Sequence, residues 1–189
     1  MKNYYSDIAG WFDYAEFYDC MIGLFDNAVF VEIGVWKGKS IMYMAQKIKE
    51  SGKTIKLYGI DTFEGLPVDS MPPGKNEIKS SLFQIYLHNI KPLNNYISTI
   101  KGNSHEVHEM FADKSIDFLY IDGDHSYQGI KKDIELWYPK VKPGGIIAGH
   151  DFIDDYNMGV VQAVKEFFTE YFLWDLQLNK VWYHKKALI

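Results

Sequence analysis

Short runs rich in Val, Ile and Tyr alternate along this chain with longer amphipathic stretches, and that alternation limits the fold more than any other feature. Ala28–Ile33, Thr54–Ile60, Tyr96–Ile100, Ile116–Ile121 and Gly145–Ala148 read as strands. Between and after them, Ser40–Glu50, Glu77–Ile90, His105–Phe111, Tyr127–Tyr138 and Met158–Thr169 read as helices. Strands separated by helices imply parallel crossovers, with helices covering both faces of the sheet. Phe172–Leu178 and Val181–His184 alternate around Asn179-Lys180 and read as a closing antiparallel hairpin. The expected fold is therefore α/β, a doubly wound and mostly parallel sheet ending in that hairpin. A Gly/Pro-rich loop is expected from Gly65 to Gly74. Tyr4–Leu24 reads as an aromatic-rich helix lying over one edge of the sheet. A chain of 189 residues is expected to form one domain, with 1–27 as a helical cap and 28–189 as the core.

In such a sheet, ligands bind beyond the carboxyl ends of the strands. The five expected core strands carry their chemistry there: Glu32 and Gly34, Asp61, Gly102-Asn-Ser104, Asp122, and His150-Asp151. Within Val31-Glu-Ile-Gly-Val-Trp-Lys-Gly-Lys-Ser40, Gly34 and Gly38 permit a tight turn and a close approach by a ligand. The following helix N-terminus offers free N–H groups. A plain tight turn explains the same spacing. Glu32 would repel a pyrophosphate there but suits an amine or a sulfonium. Asp61, in Tyr58-Gly-Ile-Asp-Thr-Phe63, is placed to accept both hydroxyls of a ribose; a capping or loop aspartate is the alternative. Asp122-Gly-Asp-His125 packs two carboxylates and an imidazole into four positions, a crowd that needs a cation or donors among it.

The formal charge of −5, with no Lys/Arg run longer than two, argues against a nucleic-acid partner. The single cysteine, Cys20, excludes an intrachain disulfide and fits a reducing, cytoplasmic setting. The polar N-terminus is unlike a signal peptide, and no apolar run approaches the ~20 residues of a membrane span. Cys20, His88, His108 and His184 have no partner pattern and read as structural. Met42 and Met44 read as packing. Trp11, Phe12, Tyr14, Phe17 and Tyr18 read as a packed helix face, with a substrate box as the alternative and both roles compatible.

In combination these motifs resemble the class I S-adenosylmethionine-dependent methyltransferases, from about Ala28 to His184. Trp36 between the two glycines is similar to the branch with catechol and caffeoyl-CoA O-methyltransferases. Asp122-Gly-Asp-His-Ser-Tyr127, with Lys142-Pro-Gly-Gly145 and Gly149-His-Asp151, also resembles sugar O-methyltransferases of macrolide biosynthesis. The resemblance implies a Rossmann-like methyltransferase sheet and S-adenosylmethionine as cofactor. The implied cofactor residues are Glu32, Gly34, Trp36, Gly38 and Ser40 on the first turn, Asp61 and Thr62 on the second, then Asn103, Ser104 and Asp122. Glu32 and the Gly34 turn would lie near the amino-acid end, Asp61 would hold the ribose, and Ser104 would contact the adenine with His105 beside it.

The resemblance further implies a divalent cation, Mg²⁺ or Mn²⁺, on Asp122, His150 and Asp151; the relatives carry Asp-Asn or Glu-Asp at the last pair, so His150 departs from them. His125 falls where the catechol-type enzymes place a lysine base, which puts Asp122 and His125 forward as catalytic; a loop histidine is the alternative. The expected activity is O-methylation of a small hydroxylated acceptor, and a homo-oligomer is compatible. Two rival readings are an NAD(P)-dependent oxidoreductase, whose G-x-G-x-x-G spacing is absent, and a non-catalytic S-adenosylmethionine-binding module.

Overall fold

Seven strands form one sheet: Asn27–Ile33 (β1), Thr54–Asp61 (β2), Ile97–Lys101 (β3), Ile116–Ile121 (β4), Val141–Gly149 (β5), Phe172–Trp174 (β6) and Val181–Lys185 (β7). Their spatial order is β3-β2-β1-β4-β5-β7-β6. β1 to β5 pair in parallel, while β7 runs antiparallel to both β5 and β6. The chain order reverses between β1 and β4, and the crevice for a ligand opens at that reversal. The computed structural model describes residues 3–65, 79–153, 158–174 and 181–188. The expected Gly65–Gly74 loop beyond Gly65, the start of the Glu77–Ile90 helix and the Asn179-Lys180 turn lie outside the described residues.

Helices cover both faces. Ala15–Leu24 (α1), Lys39–Ser51 (α2) and Lys79–Ile90 (α3) lie on one side. Tyr127–Trp137 (α5) and Met158–Phe167 (α6) lie on the other. Ile41, Met42, Met44, Ala45 and Ile48 of α2 are fully or almost fully buried, which confirms both methionines as packing. Each large apolar side chain so buried contributes about 1.5–3 kcal/mol. On α5, Asp133, Ile130, Ile134 and Trp137 form the buried stripe. The aspartate in that stripe has a purpose at the site.

Three expected elements differ. The helix predicted over Tyr4–Leu24 begins only at Ala15. Before it, Asn3 accepts N–H bonds from Tyr5 and Ser6 and closes a turn. Gly10 then takes φ +147°, outside the helical region. The helix expected at His105–Phe111 is a single α turn, Ser104–Val107 (α4), followed by a 3-10 turn at His108–Met110. β5 starts at Val141 rather than Gly145, because Lys142–Gly145 stays in the strand as an irregular stretch that shifts its register against β4.

Candidate active site

The ends of β1 and β4 are locked together. The Asp122 N–H donates to the Ile33 carbonyl at 2.8 Å, and the Gly34 N–H donates to that of Ile60 at 2.8 Å. Gly34 has φ +88°, and a Cβ there would lie 2.0 Å from the Asp122 carbonyl oxygen. The glycine expected to let a ligand approach is needed first to let β1 and β4 approach each other. Three non-glycine residues after strand ends, Trp36, Phe63 and Asp151, also have positive φ (43°, 56° and 57°). Such backbone persists only where its surroundings over-determine it, and it clusters at functional sites.

On the β1–β3 side, Glu32 has no exposed surface. Its strand neighbours are Gly59 and Tyr120. Ser40 donates a short hydrogen bond to its Oε1, and the buried Tyr18 hydroxyl is the carboxyl's other polar neighbour. Burial pushes its carboxyl up to about 8; the Ser40 hydroxyl offsets part of that, and the Asp122 charge adds to it. Asp61 is already engaged: Oδ1 accepts the Phe63 N–H at 2.7 Å and Oδ2 the Trp36 N–H at 2.7 Å. Each oxygen keeps further acceptor capacity, so a ribose is still admissible. Burial raises the Asp61 carboxyl and these backbone N–H bonds pull it back. Trp36 stacks on Trp11 with centroids 6.1 Å apart. Trp11 is 84% exposed, so it leaves the packed face expected of it, whereas Phe17 and Tyr18 of α1 are wholly buried.

After β3, Asn103 caps α4 by accepting the His105 N–H. The Ser104 hydroxyl donates to Asp133 Oδ1 at 2.6 Å, and His105 Nε2 lies 3.3 Å from the same oxygen. Asp133 is 1% exposed. Burial raises its carboxyl to about 6, opposed by Ser104 and His105.

On the β4–β5 side, His125 Nε2 is buried between two carboxylates, 3.5 Å from Asp122 Oδ1 and 3.3 Å from Asp151 Oδ2. Asp122, His125 and Asp151 each offer a ligand atom within 4.8 Å of the others. His150 stands beside this group rather than in it: Nδ1 is 3.3 Å from Asp151 and 3.9 Å from Asp122, and Nε2 is 3.0 Å from Asp13. Burial disfavours the charged form of both imidazoles, but the carboxylates outweigh it. His125 is raised, through Asp122 and Asp151, and His150 reaches about 9, through Asp151, Asp122 and Asp13. Asp124 is a loop acid that accepts both the N–H and the hydroxyl of Ser126, the N-cap of α5.

Sequence reasoning missed three residues. The Tyr14 hydroxyl donates to Asp122 Oδ2 at 3.0 Å, Asp13 meets His150, and Asp133 holds Ser104. Only Asp133, an acid in the apolar stripe of a helix, left a signal. The segment before α1 does lie over the strand ends, as expected, though not as a helix.

A family model described as a methyltransferase domain matches residues 31–152, from β1 to just past β5. The chain belongs to that family. Among curated relatives, this methyltransferase-family chain is 33% identical over 134 residues to uncharacterized protein R132 of Acanthamoeba polyphaga mimivirus, covering 68% of this chain and 53% of R132. It is 26% identical over 133 residues to uncharacterized protein y4gI of Sinorhizobium fredii, covering 70% of this chain and 14% of y4gI. It thus spans about half of one relative and a small part of the other. In fold it is similar to a putative caffeoyl-CoA O-methyltransferase from Staphylococcus aureus, with TM-score 0.69 and 18% identity over 96% of this chain and 87% of that one. The O-methyltransferase NovP is similar too, with TM-score 0.65 and 18% identity over 92% and 79% of the two chains. Among the described residues, no helix is long and apolar enough to cross a membrane.

Proposed function

We propose that this protein transfers the methyl group of S-adenosylmethionine to a hydroxyl oxygen of a small acceptor, assisted by a divalent cation. The observation that carries this reading is the fully buried Glu32 carboxyl near the end of β1, met by the neutral hydroxyls of Ser40 and Tyr18, with Asp61 at the end of β2 retaining acceptor capacity. A buried carboxyl beside the acids Asp61 and Asp122 suits an ammonium or sulfonium group, which would favour its ionised form, and would repel a pyrophosphate. That disfavours a nicotinamide dinucleotide. Glu32 and Ser40 would receive the amino-acid end, Asp61 and Thr62 the ribose, and Asn103 and Ser104 the base, with Gly34, Trp36 and Gly38 shaping the turn. Bound S-adenosylmethionine supplies an electrophilic methyl group, and the chain's task is to align the acceptor oxygen with it.

The cation fits as well: His125 Nε2 is buried between two carboxylates, a mixed N/O set that Mn²⁺ or Mg²⁺ accepts. Asp122, His125 and Asp151 would hold it, with His150 Nδ1 in reserve, and it would supply Lewis acidity to the acceptor hydroxyl. In a metal-free route, His125 Nε2 would take the hydroxyl proton, and Asp122 and Asp151 would stabilise the imidazolium.

The test is transfer of labelled methyl from S-adenosylmethionine to a panel of catechols and sugars. Transfer with Mg²⁺ or Mn²⁺ that stops in chelator is expected. Undiminished turnover in chelator removes the cation; cofactor binding without transfer to any acceptor leaves a binding module; no cofactor binding ends the reading.

A further inference from the structure

The most informative group that the proposed chemistry leaves unused is Asp133, which Ser104 and His105 meet. Asp133 sits on the sheet-facing stripe of α5, where an apolar residue fits the pattern. It is almost completely buried, and burial without partners would be costly. Its Oδ1 receives the Ser104 hydroxyl at 2.6 Å, with His105 Nε2 at 3.3 Å. Ser104 itself is only partly buried and stands just past β3, beside the Asp61 end of β2: the Gly102 N–H donates to the Asp61 carbonyl at 2.9 Å.

A serine has one proton and two lone pairs. The carboxylate of Asp133 takes that proton in a short, charge-assisted bond. What Ser104 can still offer a ligand is therefore an acceptor only. On the exposed edges of a purine, a ring acceptor such as N1 or N7 gains nothing from it. A 6-amino group can donate to it, and a 6-oxo group would face it lone pair to lone pair. A site built to pair a donor rejects an analogue that cannot supply one, because buried polar groups are then left unmatched.

We infer that Asp133 fixes the Ser104 hydroxyl as a hydrogen-bond acceptor and so makes this site select a 6-aminopurine nucleoside over a 6-oxopurine one. Asp133 is a positioning residue here; Ser104 makes the contact. The inference rests on the proposed use of S-adenosylmethionine and adds to it the origin of base selectivity.

The test compares calorimetric binding of S-adenosylhomocysteine with that of its deaminated analogue, S-inosylhomocysteine. The unaltered protein should prefer the adenosyl compound by about tenfold or more, the scale of one hydrogen bond to a charged network. Asp133→Ala frees the hydroxyl to rotate and donate to the 6-oxo group. The inosyl compound should then bind several-fold better while the adenosyl compound changes little, a split that general damage to the site would not produce. Asp133→Asn can still present an oxygen to Ser104 and should keep the preference. Ser104→Ala takes one donor from the buried Asp133, whose Oδ1 keeps His105 Nε2 at 3.3 Å, and it should lose the preference even if Asp133→Ala does not fold. An unchanged ratio in Asp133→Ala, or a preference retained in Ser104→Ala, overturns the inference while the cofactor assignment stands. Failure of the unaltered protein to bind either compound overturns both.

Discussion

The two halves of the strand-end edge satisfy their acids differently. On the β1–β3 side, Asp61 is met by two backbone N–H groups, Glu32 by a hydroxyl, and Asp133 by a hydroxyl with an imidazole beyond it. On the β4–β5 side, Asp122 and Asp151 face imidazoles at 3.3–3.9 Å. The first set of donors is largely neutral and supplied by the turns themselves, so that half is assembled before any ligand arrives. The second set is titratable and loosely spaced, so its balance shifts with whatever proton or cation is present. A half of the first kind suits recognition of an invariant ligand. A half of the second kind suits a reacting acceptor.

The most damaging way to break this comparison is to separate the halves. Gly34→Val places a branched side chain on the Asp122 carbonyl at a positive φ, so the loss reaches the fold and not only the ligand. It should cost about 4 kcal/mol or more of stability, in the range reserved for severe backbone conflicts, as read by denaturant unfolding. A variant that melted like the unaltered protein would show that the β1–β4 junction tolerates movement.

Asp122→Ala attacks the reacting half alone. Methyl transfer should fall on the order of a hundredfold or more, the scale of a lost acid–base or metal contact. S-adenosylhomocysteine affinity should fall much less, and equal losses in both would erase the division between halves. Asp61→Ala attacks the recognition half. It should weaken cofactor binding by about 1.5–3 kcal/mol, because charged hydrogen bonds are lost and two backbone N–H groups are orphaned. Calorimetry that shows unchanged affinity removes Asp61 from the ribose.

Glu32 sharpens the comparison through its proton. Its folded carboxyl lies near 8, above the ordinary value of 4.5. The stability it contributes is therefore fully present below 4.5 and is lost as pH rises through 8. A cofactor ammonium beside it favours the carboxylate, so binding at pH 7 should release close to one proton, by about 0.9 from the titration of such a group. Titrations in buffers of different ionisation heat measure this. Proton uptake, or none, would place the ammonium elsewhere. The smallest effect is expected from Tyr14→Phe, which removes the hydroxyl donated to Asp122. It should cost about 1 kcal/mol in stability, with turnover reduced more than cofactor affinity.

The order of strands and helices was legible in the sequence because hydrophobic period is a local property: 2 for strands, 3.6 for helices. The strand-end residues were legible for the same reason, since an apolar run stops where the chain leaves the core. Glu32, Asp61, Ser104, Asp122 and His150-Asp151 all stand just past their strands or at their last turn inward, along one edge. Boundaries were read least well where local signals compete, as in Lys142–Gly145, where Pro and Gly mark a loop but the strand continues.

Which groups touch was decided by the tertiary structure alone. Tyr14 reaches Asp122 across 108 residues, and His150 meets Asp13 across 137, because the segment before α1 folds back over the strand ends. The choice of His125 over His150 as the imidazole between the two carboxylates depends on side-chain directions after two separate strands. Gly34 looked like a space for ligand, and that space is filled by the Asp122 backbone. Periodicity and motif spacing constrain each strand and its own turn. They carry no information on how far one turn stands from another, which is set by sheet register and packing once the whole core has formed.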